Sequence, residues 1–236
     1  MTETQRYLKA TAHLGAGAQR SSPNLAQQIA DRLRERIQFG EIKPGERIRE
    51  VPLAAEFDVS RGPVRDALKL LERERLLRLE GRAGAVVREF TAEELTSIFH
   101  IRADLSGLGM RMAAETEPRP AEALDALDAG VALLRSIADD PDGPVADYIQ
   151  VRRRISEIIN RIGRASYLAH ILVDFEREIA APWAGVFGKG RQHRSSDTWA
   201  RIVRAVRDGD AEAADAEGRR IVLESLDEIL RLRNEA

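Results

Sequence analysis

What most constrains this chain is a change of pattern at the junction of Phe90 and Thr91. Before it, three helical segments lead into a pair of alternating, glycine-flanked strands. After it, no strand signal recurs to the C-terminus. In the front part Leu25, Ile29, Leu33 and Ile37 recur every four residues with charges between them, an amphipathic helix that Gly40 ends. A Pro44-Gly45 turn and a short extended piece follow, then a short helix over about 52–57. Ser60 is placed as the N-cap of a third helix whose apolar stripe is Val64, Ala67, Leu68 and Leu71. From Arg78 to Arg88 two strands flank a turn in which Gly81 and Gly84 supply positive φ. Three helices and a hairpin in this order predict a winged helix-turn-helix.

The rear part reads as helix throughout. Thr91-Ala-Glu-Glu94 is a capping box opening a long helix with Leu95, Ile98, Arg102, Leu105, Gly109 and Met112 along one face. Further helices are expected over about 120–138, 145–162, 165–180, 196–208 and 211–234, with a break at 182–190. The fold class is therefore mainly α: an N-terminal winged helix-turn-helix plus a C-terminal antiparallel six-helix bundle. The expected division is a flexible arm at 1–23, a winged helix-turn-helix domain at 24–90, and an all-helical domain at 91–236.

Composition narrows the function. The chain has no cysteine, which removes disulfides, Cys-ligated zinc and a thiol nucleophile. Its start is polar, and the run from Ile179 to Gly188 is about half of the ~20 residues a spanning helix needs, so a cytoplasmic location with no membrane partner is expected. No phosphate loop, Ser-His-Asp arrangement or paired-carboxylate cleft presents itself, and the chain is read as a non-enzyme. Residues 22–90 carry 14 basic against 12 acidic groups, whereas 91–236 carry 20 against 26, so the front half is the one suited to a polyanion.

Placement of the charges sharpens this. The third helix opens Ser60-Arg-Gly-Pro-Val-Arg65, which sets Arg61 and Arg65 on adjacent turns at a helix start whose amides also favour phosphate. Arg49 before the second helix and Arg82 at the wing tip join them if the fold is a winged helix, against the plain alternative of a solvated helix start. The DNA-contacting set is thus Arg49, Ser60, Arg61, Pro63, Val64, Arg65, Arg82 and Gly84.

Residues Leu25 to Arg88 resemble the DNA-binding half of the bacterial GntR-family transcription regulators. The segment Gly40-Glu-Ile-Lys-Pro-Gly-Glu-Arg-Ile-Arg-Glu50, the helix pair Leu53 to Leu68 and the glycine-containing wing carry the likeness. The helical remainder resembles the FadR C-terminal domain class, in Glu94 to Ala113 and the Ala205-Val-Arg-Asp-Gly-Asp210 turn, and six helices fit the shorter VanR-like branch. The resemblance implies a homodimer that binds a palindromic double-stranded DNA operator and senses a small metabolite in the bundle.

Many members of that class hold a divalent metal through an Asp-x-x-x-His pair and two later histidines. Laid on this chain, the pattern falls on Arg152, Ser156, Trp199 and Ile221, none of which is the expected ligand. No metal and no cofactor are therefore expected. Tyr148, Arg152, Ile155 and Ile159 follow helical spacing, so Arg152 borders an apolar stripe, and Arg102 lies within another. A guanidinium in an apolar stripe is costly unless an anion meets it. The effector site is accordingly placed at Arg102, Tyr148, Arg152, Ser156, Trp199 and Ile221, with a small carboxylate as ligand. Pairing of the two arginines with Asp104 or Glu157, or snorkelling to water, is the competing reading. A ligand-blind DNA-binding dimer and a metal-dependent carboxylate sensor are the alternative functions.

Overall fold

The computed structural model describes residues 1–15, 24–81, 84–181 and 186–235, the Lys189 side chain excepted. They form two compact units, each taken by itself below: residues 19–95 with 173–186, and residues 1–18 with 96–172 and 187–236.

The first unit is built on α2 (Leu25–Gln38), β1 (Arg47–Ile48), α3 (Glu50–Glu56), α4 (Arg61–Arg73), β2 (Leu77–Leu79) and β3 (Ala85–Val87). The four-residue repeat of α2 buries Ile29, Leu33 and Ile37 against Leu53 of α3 and Val64, Leu68 and Leu71 of α4. The sheet order is β1-β3-β2, all antiparallel, with Leu77 opposite Val87 and Leu79 opposite Ala85. The Glu80 amide donates to Gly84 O at 2.9 Å and closes the hairpin. Gly84 has φ +105°, and a Cβ there would stand 2.1 Å from Ile48 O on β1. Glycine is required at that point for the three strands to meet.

This is the winged helix-turn-helix read from the pattern, with one addition. The C-terminal part of a later helix joins this unit: Ala180 and Ala181 lie in its core, and the Glu178 carboxylate accepts from Arg88 at 2.7 Å. The expected boundary at 90/91 therefore divides the chain too simply. Two alanines give no signal by which a sequence could assign them to one core over another.

The second unit contains α5 (Ala92–Glu115) from residue 96 onward, α6 (Ala121–Asp139), α7 (Val145–Ile162), the start of α8 (Ser166–Glu178), α9 (Lys189–Asp208) and α10 (Ala211–Glu235). The capping box at the head of α5 is formed in both directions, Thr91 N to Glu94 Oε2 at 2.8 Å and Glu94 N to Thr91 Oγ1 at 3.1 Å. Helix α6 packs on α7 and α9, and α9 on α10. Small residues set the α5 seam: a Cβ on Gly218 of α10 would stand 3.0 Å from the Gly107 Cα and 3.2 Å from Ser106 O. That close approach turns the buried face of α5 to Leu95, Phe99, Arg102, Ser106 and Met110, roughly one position away from the expected Ile98, Leu105 and Met112.

Two further expectations need correction. Helix α9 begins at Lys189, inside the expected break, and is longer than read; the break's 182–185 portion lies outside the described residues. The supposed arm also holds α1 (Glu3–Ala10), capped by a Thr2/Gln5 capping box and packed on α6 and α7. Its Tyr7 is buried and donates to Ala126 O at 3.2 Å, where Gly130 leaves room for the ring. The signal was present as Thr2-x-x-Gln5 followed by Tyr7, but one anchoring aromatic in a short helix makes no sustained period.

Candidate nucleic-acid interface and interior ligand site

The start of α4 is held next to the start of α3 by one ion pair. Arg65 Nε donates to Glu50 Oε1 at 3.0 Å and Nη2 to Oε2 at 2.9 Å, a two-pronged contact that fixes the guanidinium plane. The Arg65 hydrogen bonds hold the Glu50 carboxyl below the usual range, and the charges of Arg61 and Lys69 add to the effect. Those cations therefore share one face of the unit. Arg49 and Arg61 are exposed and form no ion pair among the described residues. Ser60 occupies the N-cap position and is exposed, yet its hydroxyl makes no capping bond. Pro63 is half-buried in the first turn.

Two members of the expected set do not reach the surface. Val64 is 0% exposed and belongs to the core, because it is part of the same stripe as Leu68 and Leu71. Gly84 is buried beneath β1, so its role is to let the wing close. Arg82 lies outside the described residues. The exposed acceptor-seeking groups on this face are thus Arg49, Arg61, Arg65 and the free amides at the head of α4, a set suited to phosphate oxygens and base edges.

In the bundle, Tyr148 is 0% exposed, Arg152 8%, Arg102 5%, Trp199 2% and Ile221 7%, while Ser156 is half-buried. The snorkelling alternative for the two arginines therefore does not hold. The Arg152 guanidinium lies 5.7 Å from the Phe187 ring centroid, and that ring stands 5.7 Å from Tyr148. The Tyr148 hydroxyl donates to Gln192 O at 2.9 Å, and burial pushes its pKa up to about 12, so it remains a neutral donor. Arg102 sits against Phe99, 5.9 Å from the centroid. Its level follows from the seams of α5. Gly109 faces Asn160 and Gly163 faces Met112 and Ala113, so α5 and α7 run parallel here, and Arg102 falls two turns before that contact as Arg152 does.

The structure adds a residue that sequence reading missed. Arg191 on α9 is 2% exposed, with Nη2 donating to Ser225 Oγ at 2.9 Å and Ile221 O at 3.2 Å. Burial lowers its pKa from the ordinary arginine value, with the neighbouring Arg152 charge acting the same way and Glu224 opposing. It was overlooked because it falls between the expected break at 182–190 and the helix expected from about 196. The usable signal was Arg191, Ser195 and Trp199 at four-residue spacing, all buried.

No cluster of three or more potential metal-ligating side chains occurs among the described residues. With arginine, serine, tryptophan and isoleucine at the four positions singled out above, chelator treatment is expected to leave the thermal midpoint unchanged. Differential scanning fluorimetry with and without EDTA checks this, and a fall of several degrees would contradict it.

Both parts of the chain match known families. The model of the bacterial regulatory proteins of the gntR family matches residues 25–87, and the FCD domain model matches residues 97–223. The gluconate operon transcriptional repressor of Bacillus licheniformis is 48% identical over 75 residues, 32% of this chain and 30% of that protein. YdhC of Bacillus subtilis, described as an uncharacterized HTH-type transcriptional regulator, is 40% identical over 85 residues, 36% of this chain and 38% of its own. The chain thus matches about a third of the length of these curated relatives. The structure of E. coli McbR/YncC superposes with a TM-score of 0.76 at 19% identity, covering 89% of this chain and 99% of that one, a likeness of fold. The two family models together define a DNA-binding transcription regulator. The chain belongs to the gntR family of bacterial regulatory proteins, and its C-terminal half carries an FCD domain. Among the described residues no helix is long and apolar enough to cross a membrane.

Proposed function

We propose that the protein acts as a homodimer on a two-fold-symmetric DNA operator and is controlled by a small anionic metabolite, a carboxylate, held inside the helical unit. The observation that carries the effector part is the charge of the bundle interior. Three arginines, Arg102, Arg152 and Arg191, are each at most 8% exposed, and the carboxylate that faces Arg191 is Glu224. Buried guanidinium donors left without a hydrogen-bond partner, Arg191 Nε and Nη1 beside the Arg152 charge, favour an anion at this place. Arg102, Arg152 and Arg191 anchor the carboxylate in this reading, Tyr148 supplies a neutral donor, Ser156 borders them, and Trp199 and Ile221 contact the apolar body. Arg49, Arg61 and Arg65, with Ser60, Pro63 and the Arg82 wing, form the DNA-facing set. A regulator built this way needs no catalytic group.

A panel of short carboxylates tested by thermal shift decides the effector part. A ligand at a hundred times its Kd stabilises by about 2.7 kcal/mol, which raises the melting temperature by several degrees. Arg152→Ala is expected to abolish that rise and the accompanying change in operator affinity, while operator binding without effector stays intact. The coupling between the two sites is reciprocal, so operator DNA must shift effector affinity by the same factor. The burial of Trp199 and Ile221 favours a second reading, a ligand-blind dimer with a filled interior. Absence of any response across the panel selects it.

A further inference from the structure

Helix α9 carries, on the stripe Arg191, Gln192, Ser195 and Trp199, a set of polar side chains that are 2%, 0%, 1% and 2% exposed. Their polar atoms are not used up by the fold. Arg191 Nε and Nη1, Gln192 Oε1, Trp199 Nε1 and Glu224 Oε2 are all buried without a hydrogen-bond partner. Arg191 Nη1 and Glu224 Oε2 face each other at 3.4 Å, too poorly aligned for a hydrogen bond. Buried polar groups are seldom left unmatched, so several at one place mark a ligand or ordered water.

The orphaned atoms divide by chemistry. The Arg191 nitrogens are donors and suit a carboxylate, while the Trp199 nitrogen is a donor farther along the helix. Gln192 Oε1 and Glu224 Oε2 are acceptors, and Glu224 repels a bare carboxylate brought to Arg191. A plain alkanoate would satisfy Arg191 and leave the two acceptors unmatched. We infer that the effector is a carboxylate with a hydrogen-bond donor, a hydroxyl or an ammonium, on the carbon next to the carboxyl group. The carboxylate meets Arg191, and the donor group meets Gln192 Oε1 and Glu224 Oε2. Trp199 lies two turns along the same face, about 12 Å from Arg191 by helix rise, so a five- or six-carbon body held at Arg191 extends toward the indole. The Ser195 hydroxyl lies beside that of Tyr148 on the same stripe, between Arg191 and Trp199. This inference rests on the anionic-effector reading and makes the α9 stripe its specificity-determining element.

The test is isothermal titration calorimetry of the full chain with three six-carbon probes: hexanoate, 2-hydroxyhexanoate and 2-aminohexanoate. At least one 2-substituted probe is expected to bind at least about tenfold more tightly than hexanoate, since an acceptor buried without a donor discriminates strongly. Gln192→Met removes Oε1 at similar volume, and should bring that preference to within about twofold. Because the Gln192 amide also donates to Phe187 O at 2.9 Å, Glu224→Gln is the second variant, altering the half-exposed partner with no change of shape. It is expected to lower the same preference. Hexanoate binding as tightly as both substituted probes overturns this inference and leaves the anionic-effector reading standing. A preference that survives both substitutions also overturns it. Failure of all three probes to bind overturns both readings and assigns the orphaned atoms to ordered water.

Discussion

Arg65→Ala is expected to weaken binding to a duplex that the protein selects from random sequence by about 1 to 3 kcal/mol, roughly ten- to a hundredfold. Arg65 lies on the exposed side of α4, one turn beyond Arg61, and its fork is presented flat by the Glu50 carboxylate. Removing it deletes a cation and uncovers an anion on the same face. Glu50→Gln in the alanine background should therefore recover part of the loss. Fluorescence anisotropy over a range of salt separates two ways of acting. If Arg65 reads a base edge, affinity for the selected duplex falls while a scrambled duplex is little affected. If it meets a phosphate, both fall and the slope of log affinity against log salt drops by about one. Unchanged binding to both duplexes would remove Arg65 from the reading surface.

The reading head was legible in the sequence because its signals are local. A four-residue apolar repeat, a helix start at Ser60 and two glycines in a hairpin each depend on neighbours along the chain, and α2, α4 and the β2/β3 hairpin appear where they were expected. Val64 shows the limit of reading a surface from a contiguous string. Between Arg61 and Arg65 the helix turns through more than a full circle, so one residue of the string must point into the core. The interior site was legible only in part. Tyr148 and Arg152 stood out because a cation interrupts an apolar period. Arg191 did not, because Lys189-Gly-Arg-Gln-His-Arg is polar and glycine-containing by composition and becomes helix through burial against α10. Tertiary packing overrode local propensity there. The expected face of α5 is buried at Leu95, Arg102 and Gly109 but departs in a useful way at Ile98, Leu105 and Met112, which keep helical spacing yet are only half-buried.

That displaced stripe leads to the second large effect. Ile98, Ile101, Leu105, Leu108 and Met112 recur at intervals of three and four along α5, with Ile101 50% and Leu108 43% exposed, on the side away from Phe99 and Met110. A helix side that is apolar over about four turns and left bare is the kind of surface that a second subunit covers. Two-fold pairing along it would bring each residue near its own counterpart, so one substitution acts twice. Replacing Ile101 and Leu108 together by glutamate is therefore expected to set four carboxylates in one apolar seam and convert the proposed dimer to a monomer. Both positions are exposed in the single chain, so the helical circular dichroism spectrum should be retained. Operator affinity should fall by about 10²- to 10⁴-fold, because one reading head then binds without the effective concentration supplied by the other. Sedimentation velocity measures the first consequence and anisotropy the second. A double variant that sediments as a dimer would place the interface elsewhere than α5. A monomeric variant with full operator affinity would mean that a single reading head suffices and that the operator need not be symmetric.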